Sequence, residues 1–286
     1  MLMSLGACDS GVTPTGAVSA PVGSEILEGL RLRSAVHFEI ADLLKPVSQE
    51  SDFDPYLAPL FYREVEQTTP SSATRSSFGS LVLGETGLAA DTGRPAVYFH
   101  ESSLKWGASE YEQTVFLWFR PGEDEGPVRA QGLRTTFDSQ GFQCVFEPLS
   151  ESSGASVFYV AKSLEAAALA KHGEPLAGRM HSIEPELEAR PDVVVARVYG
   201  EGPMPMGPFV YVTDSGADVL SLHCRCSPSQ MTTLREGADY ELLPWDSLSL
   251  EVRTRWTDAL EEAKRNSLGF EAPEWPFLSL RWPDSP

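Results

Sequence analysis

The stretch "SLHCRCSPSQ" (221–230) places His223, Cys224 and Cys226 within four positions. Just upstream, "GPMPMGP" (202–208) sets Met204 and Met206 in a Pro/Gly loop. Thiolate and thioether ligands together select soft ions, above all Cu(I). A site of Cys224, Cys226, Met204 and Met206 is therefore chemically sensible. The same four side chains can equally plug a core, because Cys behaves as a small hydrophobe and Met fills irregular gaps. A thiol-redox role for the two cysteines is the third reading. Cys-x-Cys lacks the paired CxxC spacing of a structural zinc site.

Strand periodicity sharpens the choice. If 217–226 is extended, Leu220, Leu222, Cys224 and Cys226 fall on one face, and Val219, Ser221, His223 and Arg225 on the other. The imidazole then points away from the thiols. Taking "TDSG" (213–216) as a hairpin turn pairs Thr213 with Asp218, which sets Gly207 opposite Cys224 and Pro205 opposite Cys226. The Met loop then lies at the same end of the hairpin as the cysteines, and a one-residue slip changes which side chains face. A 224–226 disulfide strains an extended strand; Cys144 is the better partner for a bridge.

Acid–base chemistry has two candidate pairs. "YFHES" ends a strand with His100 and Glu101, and "MHSIEPELE" places Glu184 three residues after His181. Each could supply a general base and its partner. Neither stands in a nucleophile motif: G-x-S-x-G, HExxH, P-loop and GxGxxG patterns are all missing. His172 falls at the end of a helix, where the dipole favours a cationic imidazole. Trp106, Trp245, Trp275 and Trp282 near loops offer a third chemistry, an aromatic groove for a carbohydrate or other small ligand.

The four cysteines, at 8, 144, 224 and 226 of 286 residues, are too few for a disulfide scaffold. The first of them opens a different question. Leu5-Gly6-Ala7-Cys8 resembles the lipobox of bacterial lipoproteins, an apolar residue and two small ones before the Cys that is lipidated. Residues 9–24, with Asp9 as their only charge, then read as a flexible tether. Seven residues precede Cys8 and none is Lys or Arg, so the reading expects a cationic apolar stretch upstream of Met1. The resemblance implies a lipidated Cys8 and a place in the cell envelope. The alternative is a cytoplasmic protein with an incidental Cys8.

Forty-one acidic residues against 22 basic ones give a formal net charge of −19. That balance argues against binding nucleic acid. It leaves a membrane contact only through the N-terminal anchor. Protein and ligand partners are not specified.

The elements follow from pattern. Val36, Phe38 and Ile40 alternate with His37 and Glu39, as in a strand. A short helix is expected after Pro59. "TVFLWF" is apolar on both faces and belongs in the middle of a covered sheet. "VRAQGLRTTFD" and "FQCVFEPL" form a hairpin joined at "SQG", with Phe142, Cys144 and Phe146 on one face. Ser163 caps a helix over 164–172 that Gly173 ends. Asp246 caps a C-terminal helix over about 247–267, with Leu248, Val252, Trp256, Leu260 and Ala263 on its apolar stripe and Glu261 four before Arg265. The predicted fold is α+β, a mainly antiparallel sheet with a few packed helices. Residues 1–24 form the signal remnant and tether, and 25–286 one globular domain with a sub-boundary near 150. The residues lean toward a non-enzymatic extracytoplasmic binding or structural module.

Overall fold

The computed structural model describes residue 29 and residues 32–33, 35–47, 53–65, 77–85, 87–106, 109–122, 126–150, 156–174, 193–213, 219–225, 233–237 and 239–259. The order is β1 (Ile40–Leu44), β2 (Pro46–Val47), a 3-10 turn (Pro55–Leu57), β3 (Leu60–Glu64), β4 (Ser80–Gly84), β5 (Gly87–Asp91), β6 (Ala96–Trp106), β7 (Ser109–Arg120), β8 (Arg129–Phe137), β9 (Gln143–Ser150) and β10 (Ser156–Ala161). Then come α1 (Lys162–His172), β11 (Val193–Tyr199), β12 (Phe209–Val212), β13 (Val219–His223), β14 (Thr233–Glu236), β15 (Tyr240–Pro244), a second 3-10 turn (Trp245–Ser247) and α2 (Leu250–Ala259).

The chain is mostly sheet. One sheet has the order β13-β12-β3-β1-β14 and a larger one β11-β10-β9-β8-β7-β6-β15-β2, while β4 and β5 form a separate hairpin. β9 and β10, on either side of residue 150, pair within the larger sheet. Local hairpins are antiparallel as expected: β6–β7, β7–β8 and β8–β9 follow directly along the chain. The sheets as a whole are mixed, which corrects the mainly antiparallel expectation. β1–β14, β3–β12, β10–β11, β6–β15 and β2–β15 are parallel. All five join segments without a tight turn between them, and parallel neighbours need such crossovers. Turn residues mark hairpins in a sequence and leave the crossovers unmarked.

Two cores flank the larger sheet. Phe61, Val210 and Leu222 of the five-stranded sheet meet Phe116, Trp118 and Leu133 of the larger one, with Phe61 edge-on to Trp118 at 4.9 Å. On the opposite face Tyr98, Leu117 and Phe119 pack against Leu81 and against Val252 and Trp256 of α2. β7 is thus buried on both faces, as "TVFLWF" predicts. The β8–β9 turn also follows the prediction: Asp138 Oδ1 accepts from the amides of Gln140 and Phe142, and Gly141 takes φ 80°.

Other local expectations shift. Residues 60–64 form β3, paired on both sides; the expected helix after Pro59 yields to that pairing, and the turn lies before it, capped by Asp54. Val36 and Phe38 pack on the outer face of the five-stranded sheet beside Tyr62 and Tyr211, but the ladder begins only at Ile40. α1 ends at Gly173 as predicted, yet its cap is not Ser163: the Ser163 amide donates to the Glu201 carboxylate at 2.8 Å. A carboxylate at the positive end of the helix takes the capping role from outside the helix. At α2 the cap is Ser249, whose Oγ accepts from the Val252 amide, while Asp246 pairs with Arg253. α2 is described to Ala259, so Leu260, Ala263 and the Glu261–Arg265 pair lie outside the described residues. Glu251 and Arg255 make the four-residue pair that is seen.

Candidate functional site

The candidate chemistry gathers at the end of β13. β13 runs antiparallel to β12, with Val212 opposite Val219, then a bulge, then Tyr211 opposite Ser221, Val210 opposite Leu222 and Phe209 opposite His223. The predicted register therefore holds at the turn end and slips by one residue beyond the bulge. A bulge adds a residue to one strand and flips the faces of the residues beyond it. Val219 and Leu222 both pack toward the inter-sheet core, and Leu220 packs toward the outer face. Cys224 packs against the inter-sheet core, while Ser221 and His223 are buried beside Tyr211 of the outer face.

His223 is held by four groups. Arg197 Nη1 donates to Nδ1 at 2.9 Å. Ser221 Oγ lies 2.6 Å from Nε2, and the Val36 carbonyl oxygen 3.4 Å from it. The His37 ring lies against it with centroids 4.1 Å apart. Guanidinium only donates, so Nδ1 must carry the lone pair and Nε2 the proton of a neutral ring. Nε2–H then donates toward Ser221, and the imidazole cannot accept the serine proton. Ser221 and His223 are adjacent but oriented for holding, not for activating a nucleophile. Burial, then the Arg197 charge, then His37, lowers the His223 pKa to about 3. Burial and Arg197 also lower that of His37.

The next two residues are anchored as well. Cys224 is disulfide-bonded. Cys144, the partner favoured by strand geometry, is instead a free thiol in the core. It donates to the Thr136 carbonyl at 3.4 Å, and burial raises its pKa far above the usual thiol value. Arg225 donates to the carbonyls of Tyr56 and Ala58. Burial lowers its pKa to about 10, so it stays charged at neutral pH. Three consecutive residues thus tie the end of β13 to β11 and residues 36–37, to a disulfide, and to the Pro55–Leu57 turn.

The Met loop reaches the same turn. Tyr56 O accepts from the Gly207 amide at 2.8 Å and from Arg225. The Met206 amide donates to Gln143 Oε1 at 3.2 Å. A Cβ on Gly207 would overlap the carbonyl oxygens of Leu57 and Ala58, so the close approach requires glycine. Met204 is 54% exposed and Met206 half-buried. A copper site on Met204, Met206, Cys224 and Cys226 would need the Cys224 disulfide reduced to thiolate first, and Cys226 lies outside the described residues. Among the described residues no group of three or more His, Cys, Asp or Glu could hold a metal ion.

His100 and Glu101 are consecutive on β6, whose pairing with β7 is unbroken. The strand therefore sends them to opposite faces, His100 on the side of Tyr98 and Glu101 exposed on the side of Phe99. His181, Glu184 and Cys8 lie outside the described residues, as do Trp275 and Trp282. Trp245 packs in the second core, 5.2 Å from Trp256. The sequence pattern placed His223 opposite the thiols but contained no sign of Arg197 or His37 beside it. Arg197 arrives on β11, which pairs with β10 and not with β13, and His37 from the segment that leads into β1.

Comparison with known proteins finds no matching family model, no matching curated protein and no matching solved structure.

Proposed function

We propose that the chain is an extracytoplasmic, lipid-anchored module that binds or scaffolds and does not catalyse. The observation that carries this reading is the disulfide at Cys224 beside a Cys144 that stays reduced in the core. Disulfides persist in oxidising compartments and are rare in the cytosol. The lipobox-like Leu5-Gly6-Ala7-Cys8 and the nearly uncharged tether behind it point to the same place. The polar cluster at β13 supports the non-catalytic part, because its imidazole is neutral, locked in one tautomer and turned as a donor toward the Ser221 hydroxyl.

The test is thiol trapping in the producing cells, with acid quenching and a mass-tagged maleimide. Cys224 is expected to resist labelling until a reductant is added, and Cys8→Ala is expected to move the protein from the membrane to the soluble fraction. Cys224 labelled directly after quenching, with no change in fractionation, would overturn the reading.

A second reading draws on the meeting of the Met loop and the Cys224 end at Tyr56. Once reduced, Cys224 with Cys226, Met204 and Met206 forms a thiolate–thioether set suited to Cu(I). Titrating reduced protein with Cu(I) decides it: one tightly held ion, lost in Cys224→Ser, supports copper, and no retained ion removes it.

A further inference from the structure

β11 and β13 are edge strands of different sheets, and Arg197 bridges them by donating to His223. Tyr159 on β10 bonds the Leu222 backbone across the same seam. In this acidic chain, the arginines shielded within the sheets meet carboxylates: Arg63 and Arg235 flank Asp42 at 2.6 and 3.1 Å, and Arg134 meets Glu147 at 2.8 Å; Arg225, at the end of β13, has its donors taken up by the Tyr56 and Ala58 carbonyls. Arg197 is half-buried, yet among the described residues no carboxylate is bonded to it. Its neighbours are two imidazoles, and His37 Nδ1 is buried without a hydrogen-bond partner.

A neutral imidazole does not neutralise a guanidinium. Among the described residues the seam thus keeps one positive charge with no carboxylate bonded to it, and beside it one ring, His37, whose unpartnered Nδ1 can take up a proton when a negative group arrives. We propose that Arg197, with His37 and His223, forms a binding site for a small oxyanion of the carboxylate or phosphate class. The remaining guanidinium N–H groups match such an anion in a fork, and His37 supplies a further donor. This assigns a ligand class to the binding reading above and rests on that reading for its biological sense.

The groups facing the two rings are Arg197 from β11, Tyr211 from β12, Ser221 from β13 and the Val36 carbonyl. Tyr62 of β3 lies behind Tyr211, and burial keeps its hydroxyl neutral, with a pKa of about 12. No carboxylate acts on either ring among the described residues. An anion beside Arg197 therefore favours a proton on His37, while His223 stays the neutral acceptor for Arg197, and affinity rises as pH falls.

The experiment titrates the purified full chain with inorganic phosphate, sulfate and acetate, by calorimetry and by the histidine Cε1–H resonances. Saturable one-to-one binding is expected, with the His37 and His223 signals moving. Sulfate keeps its charge, and its affinity is expected to rise roughly tenfold per pH unit at most between pH 7.5 and 5.5. Preference for phosphate or acetate separates the two ligand sources. Arg197→Gln keeps a donor for His223 and is expected to weaken binding by about tenfold or more. If that variant does not fold, His37→Phe keeps the ring and removes its nitrogens; weaker binding with a flatter pH profile is expected. Non-saturating titrations with all three anions overturn the proposal, as does wild-type affinity in either folded variant. This result is independent of compartment, since thiol trapping reads Cys224 alone.

Discussion

The interior of the sheets and the seam between them handle buried charge differently. Within the larger sheet, Arg134 and Glu147 sit directly opposite on β8 and β9, both nearly inaccessible. Within the smaller one, Asp42 on β1 is flanked by Arg63 and Arg235, its neighbours on the two adjacent strands. Each buried charge there has its opposite one strand away, at a position fixed by the ladder register. At the seam, Arg197 meets neutral rings and, among the described residues, no carboxylate. Ladders can place opposite charges face to face; a junction of two edges has no register to do so, and the charge it holds remains available.

Four perturbations probe this contrast, in falling order of effect. Glu147→Gln leaves the Arg134 guanidinium buried without its carboxylate and should cost about 3–5 kcal/mol, read from the denaturant midpoint. Replacing both partners by Met and Leu should recover most of that loss; failure to recover would mean the pair is not an isolated unit. The second perturbation is pH. The His223 pKa is about 3 in the folded chain against about 6.5 unfolded, so the unfolded state binds the proton first. Its stabilising contribution is complete above pH 6.5 and is lost as pH falls toward 3, by up to about 1.4 kcal/mol per pH unit. His223→Gln should flatten that slope in acid unfolding curves, and an unchanged slope would assign it to other groups.

The third perturbation, Gly207→Ala, forces a methyl group onto the Leu57 and Ala58 carbonyls and should cost about 1–3 kcal/mol. It should also speed reduction of the Cys224 disulfide, because the Met loop and Arg225 share Tyr56. Reduction at the wild-type rate would uncouple the two. Smallest is Arg197→Gln, expected to change stability by about 1 kcal/mol or less, since no buried carboxylate loses its partner. A loss as large as that of Glu147→Gln would show that the seam is charge-paired after all.

Much of the larger sheet is legible in the sequence. β7 announces its double burial by apolar residues on both faces, and Asp138 and Gly141 announce the β8–β9 hairpin. The split of His223 from Cys224 agrees with a strand period of two. The bulge beside Leu220 could not be anticipated, because one extra residue changes register without changing composition. Nor could the Glu201 cap of α1, where a carboxylate outside the helix replaced the nearby Ser163.

The sequence by itself determined the features that depend on near neighbours and composition: the strand alternation, the hairpin turns, the Gly173 helix stop, and the acidic charge balance. Only the tertiary structure decided the five parallel pairings, the neutral tautomer of His223, and the meeting of His37, Arg197 and His223. Those depend on which distant segments share an edge. Periodicity states which way a side chain points, and packing alone states what it meets there.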